Sequence, residues 1–140
     1  MTQTMDFVAA HRRHWEDAEL LLDHERLGNA DHLYGFSAEC GLKAVMTRLG
    51  MPLEPSGDPR EREHRKHIQE LWPVFKSFAE ERAGSVYLRQ LPRGTPFSDW
   101  SHHARYSQTG CSGESAVDRH RDAARGILRM VMLTEQDGTP

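Results

Sequence analysis

Two stretches of the chain concentrate side chains able to do chemistry on a phosphate ester or a base. Trp100-Ser101-His102-His103-Ala104-Arg105-Tyr106 brings together an indole, two imidazoles, a guanidinium and a phenol. Those are the types that stack on a base, move a proton and hold a phosphate. The competing reading anchors the loop through Trp100 and Tyr106 and leaves the histidines in water. The second stretch, Arg62-Glu63-His64-Arg65-Lys66-His67, is a basic run at the expected entrance to a helix. Such a run is either a solvated helix start or a phosphate contact. Glu39 and Lys43 lie four apart, so they share one helix face and can pair.

Other chemistries find little support. His64, His67, His102 and His103 could converge, but no HExxH or comparable carboxylate-bearing pattern completes a metal site, so none is expected. Cys40 and Cys111 lack CxxC spacing and read as free thiols of a reducing compartment. No GxxxxGK phosphate loop is present, and no cofactor is expected. Arginine supplies all but three of the 18 basic residues, which favours bidentate contacts to phosphate or carboxylate. A net charge of −3 argues against a protein whose main task is coating duplex DNA.

The elements that must position these groups read as helices. Steps of three and four place Phe7, His11, Trp15, Ala18 and Leu22 on one face over 5–27, with Asp6 at the start and Gly28 as the stop. A second helix follows, capped by Asn29 or Asp31, with a stripe of Leu33, Phe36, Cys40, Ala44 and Val45, ending at Gly50 and Pro52. The short connection predicts antiparallel packing. Residues 51–60 hold three prolines and cannot be helical. Helical pattern resumes near Glu61 and carries Ile68, Leu71, Trp72, Phe75 and Phe78, with Pro73 expected to kink or divide it. A short helical piece follows around Val86–Leu91, then a long loop from Pro92 to Gly113. A last helix starts near Ser112 or Glu114, with Val117, Ala124, Ile127, Leu128 and Val131 on its face. No strand pattern competes. The expected fold is an all-α antiparallel bundle of four to five helices in one domain over 1–140. No run approaches a membrane span and no secretory signal is visible, so a cytoplasmic location is expected.

Ala38-Glu39-Cys40-Gly41-Leu42-Lys43-Ala44, then His67 with Leu71 after it, then Arg105-Tyr106 before the last helix, occur in an order that resembles the HEPN (higher eukaryotes and prokaryotes nucleotide-binding) domain family. The likeness runs over about residues 6–133. It implies a dimeric helical bundle. Members include ribonuclease toxins and defence effectors, and non-catalytic partners of nucleotidyltransferases. It also implies an Arg–His pair with four to six residues between them as the ribonuclease centre, the imidazole moving the ribose hydroxyl's proton and the guanidinium stabilising charge on the phosphate. Arg62–His67 has that spacing, as do Arg60–His67 and Arg26–His32. With this many arginines and nine histidines, such pairs arise by chance about as often as they are found. The candidate catalytic residues are therefore Arg62 and His67, with His102, His103 and Arg105 as the alternative set. Glu39, Lys43 and Tyr106 are the candidate lining of a nucleotide cleft. Expected partners are a second copy of the chain and RNA or a nucleotide, with a cognate antitoxin or a nucleotidyltransferase as protein partner. The rival expectations are a non-catalytic binding module and a bundle repurposed for a small molecule.

Overall fold

A computed structural model describes residues 5–82, 84–101 and 113–137. Among these described residues five helices follow in order: α1 (Phe7–Asp23), α2 (Leu27–Arg48), α3 (Ile68–Glu81), α4 (Ser85–Leu88) and α5 (Glu114–Asp137). A 3-10 turn at Arg62–Arg65 precedes α3. Apart from an isolated bridge between Leu53 and Pro59, no strand occurs among the described residues. None of their helices is long and apolar enough to cross a membrane.

α1 starts as expected, with the Asp6 carboxylate accepting from the Ala9 amide at 2.9 Å. It ends earlier than expected. The Arg26 amide reaches back to the Leu21 carbonyl and the Glu25 amide to that of Leu22. Glu25 takes the left-handed conformation, at φ 59°, that closes this motif and that glycine ordinarily fills. Gly28 is therefore not the stop but lies in the first turn of α2. Neither Asn29 nor Asp31 caps that helix, since both lie inside it. Its other end is as expected: Gly50, at φ 94°, follows Arg48 and Leu49, and the Met51 amide returns to Met46.

α2 is the hub, packed against α1, α3 and α5. Trp15 meets Tyr34 while His11 meets Ser37, so α1 and α2 run antiparallel. The buried face of α2 is Ala30, Tyr34, Ala38, Leu42, Val45 and Met46. The stripe expected from the sequence lies partly to one side, with Leu33, Phe36 and Cys40 only half-buried. α3 presents Ile68, Leu71, Trp72, Phe75 and Phe78 as expected, and α5 buries Val117, Ala124, Ile127 and Val131. Pro73 does not divide α3. It faces outward, and its missing amide costs one backbone bond near the helix start while the apolar face stays continuous.

Gly41 marks the closest approach. A Cβ there would lie 2.3 Å from Ile127 Cγ2 and 2.8 Å from His11 Nδ1. His11 is wholly buried in α1; its Nδ1–H donates to the Ser37 carbonyl at 2.7 Å, and burial holds its pKa below the ordinary value. Gly28 has nothing within 4 Å of such an atom. Gly41→Ala is expected to destabilise by about 1–3 kcal/mol through overpacking, although alanine gains about 1 kcal/mol in helix propensity. Gly28→Ala is expected to be neutral or stabilising. Urea unfolding of both variants checks the contrast.

Candidate functional site

The 3-10 turn ends in two extended residues, Lys66 and His67, and the His67 carbonyl then accepts from the Glu70 and Leu71 amides to start α3. His67 holds the N-cap position without capping through its side chain, which leaves the ring available to reach α2. Its Nδ1–H donates to Glu39 Oε1 at 2.9 Å. Lys43, one turn along α2, donates to Glu39 Oε2 at 3.1 Å. Glu39 and Lys43 are buried, whereas the His67 side chain is 43% exposed. The carboxylate is thus satisfied on both oxygens and fixes the orientation of the one imidazole in the cluster that water reaches.

An aromatic group borders this notch. Phe36, one turn before Glu39 on α2, has four rings around it: His32 edge-on at 4.6 Å, Trp100 at 5.4 Å, His14 at 6.0 Å and His67 at 6.2 Å. His14 comes from α1; burial and then the Arg13 charge hold its pKa below the ordinary value. Cys40 is half-buried beside Glu39, and burial followed by the Glu39 charge pushes its thiol up to about 11, so it is no nucleophile at neutral pH.

The structure brings three of the expected residues together: Glu39, Lys43 and His67. Arg62 is not among them. It is exposed, and its side chain makes no hydrogen bond or ion pair among the described residues. His102, His103, Arg105, Tyr106 and Cys111 lie outside the described residues. Trp100 follows the anchoring alternative: it is 3% exposed, and its indole N–H donates to the Asp31 carbonyl at 3.0 Å. The sequence reading passes over His14, takes Phe36 only as part of the α2 stripe and His32 only as a partner of Arg26, although the i,i+4 spacing of His32 and Phe36 is visible there. No group of three or more His, Cys, Asp or Glu among the described residues is arranged to hold a metal ion. A cleft of about 580 Å³ opens between the 3-10 turn and α3, lined by His64 and Phe78 but by neither His67 nor Glu39.

The cluster makes a definite stability prediction. Lys43→Met leaves the Glu39 carboxylate buried without its ammonium and is expected to cost about 3–5 kcal/mol. Adding Glu39→Gln to that variant is expected to recover part of the loss, because the uncompensated charge is gone. Denaturant unfolding of the single and double variants measures both effects. Compared with known proteins, the chain matches no family model, no curated protein and no solved structure.

Proposed function

We propose that this protein is a HEPN-like helical module that binds RNA or a nucleotide, as a cytoplasmic homodimer, with His67 at the centre of the binding notch. The observation that carries the reading is the half-exposed His67 ring, held by the buried Glu39–Lys43 pair and bordered by Phe36. A ring fixed in this way and 43% exposed is placed to meet a ribose hydroxyl, a phosphate oxygen or a base edge. Binding is put ahead of cleavage because, among the described residues, Lys43 is committed to Glu39 and the exposed Arg62 side chain makes no hydrogen bond or ion pair.

The Glu39–His67 pairing favours one second reading, a metal-independent endoribonuclease of toxin or defence type, in which Glu39 orients a proton-accepting imidazole. Homodimerisation follows from the family likeness rather than from a surface patch. Leu20 sits near the Glu19–Arg121 pair and Met132 near the Arg12–Glu135 pair, so these exposed apolar residues lie apart along α1 and α5.

Fluorescence anisotropy with a labelled single-stranded RNA and with a nucleotide, in EDTA, tests the reading. Wild type is expected to bind without cutting, and His67→Ala to weaken binding about tenfold or more, the worth of one hydrogen bond to a charged group. RNA cleavage that survives EDTA and falls about 10²–10⁴-fold in His67→Ala establishes the second reading. Wild type that binds neither probe overturns both. Light scattering is expected to give twice the 16.0 kDa of one chain; a monomer at micromolar concentration removes the dimer.

A further inference from the structure

The turn that carries Trp100 is fastened by groups the His67 notch does not use. Gly94 accepts from the Trp72 indole at 2.9 Å. Phe97 is buried and stacks on the ring of His120, at 5.1 Å between centroids. The His120 ring, 1% exposed on α5, lies between two carboxylates: Nδ1 is hydrogen-bonded to Asp31 of α2, and Nε2 to Asp99 of the turn at 2.7 Å. Arg119 donates to the other oxygen of Asp99 at 2.8 Å. Next to Asp99, the Trp100 ring fills the space that a side chain at position 35 would need; a Cβ on Gly35 would lie 2.0 Å from the indole.

An imidazole flanked by carboxylates on both nitrogens needs both N–H groups. The neutral ring has one donor and one lone pair, so one carboxylate would face a lone pair. With the ring protonated, Asp31, His120, Asp99 and Arg119 sum to zero charge; without that proton the cluster is left with one uncompensated negative charge.

We propose that His120 is a proton-operated latch for residues 94–101: the imidazolium ties Asp99 to Asp31 and seats Trp100 against Gly35, and loss of one ring proton to solvent releases Asp99 and, with it, Trp100. Asp99 is the carboxylate that lets go, because its side chain is 46% exposed and can be rehydrated, whereas that of Asp31 is buried. Burial alone would lower the His120 pKa, but the hydrogen bonds and charges of Asp31 and then Asp99 outweigh it and raise the pKa above 6.5. The latch is therefore closed below pH 6.5 and opens as pH rises through the raised value. The other charged groups nearby are engaged elsewhere: Arg121 of α5 pairs with Glu19 of α1, and His32 of α2 stacks on Trp100 rather than on His120. α3 meets this region through the Trp72 ring, which packs on Phe97 of the turn, and through Lys76, whose ammonium donates to the Gly94 carbonyl at 3.4 Å rather than to Asp99. The inference is independent of what His67 binds.

Nuclear magnetic resonance of the ¹⁵N-labelled chain tests it, following the His120 ring and the Trp100 indole N–H between about pH 5 and pH 9, the range in which histidines titrate. The Trp100 indole is expected to be protected from hydrogen exchange at the acid end and to lose protection along the His120 titration, with helical circular dichroism unchanged. Each unit by which closing raises the His120 pKa corresponds to about a tenfold change in the closed-to-open ratio. Asp99→Asn removes one carboxylate at a half-exposed position and is expected to move the transition to lower pH. Protection that stays constant across the His120 titration overturns the latch. So does a transition that Asp99→Asn leaves in place, or helicity lost in step with protection, which would mean unfolding of the whole chain.

Discussion

Helix α2 is enclosed by α1, α3 and α5, and a helix so enclosed has little solvent face on which to leave a polar side chain. Each charged or hydroxyl group along its buried stretch must meet a partner or pay a desolvation cost of several kcal/mol. Asp31 meets His120, Tyr34 donates to Glu19, Ser37 donates to the His11 carbonyl, and Glu39 meets both His67 and Lys43. These pairings reach α5, α1 and the entrance to α3 in turn. The apolar core supplies most of the attraction between the helices, and the polar pairs set which residue faces which.

The same enclosure explains the small residues of α2. Gly35 admits the Trp100 indole, and Gly41 admits Ile127 and His11. The segment that carries the likeness to the HEPN family, Ala38 to Ala44, is mostly packing surface: Ala38, Leu42 and Ala44 are buried, and Gly41 is a close contact. Only Glu39 and Lys43 within it are polar, and neither reaches water to any extent. The His67 imidazole that Glu39 holds is 43% exposed.

Two histidines show how tertiary surroundings set protonation in opposite senses. Burial dominates at His11, which bonds a backbone carbonyl and lies on the low side of the ordinary range. Burial pulls the same way at His120, but Asp31 and Asp99 together outweigh it, and the ring lies on the high side. Nothing in their sequence neighbourhoods separates them; both sit among arginines, at His11-Arg12-Arg13 and at Arg119-His120-Arg121.

Periodicity alone determined that the chain is helical, where α1 and α5 begin within a residue or two, and which faces of α3 and α5 are buried, because amphipathic spacing is a local property; it started α3 near Glu61, where the chain makes a 3-10 turn and the helix begins only at Ile68. The same local reasoning paired Glu39 with Lys43 and singled out His67. It failed on α2, where apolar and small residues surround the helix and no single stripe marks its buried side. It also placed the α1–α2 turn at Gly28, since nothing local announces a glutamate in the left-handed position. Only the tertiary structure decided that His67 answers to Glu39 rather than to Arg62, that Trp100 is an anchor, and that Asp31, Asp99 and His120 form one cluster. Those contacts join residues 28, 69 and 89 positions apart, and their geometry depends on how three helices and a turn pack, which no short window of sequence encodes.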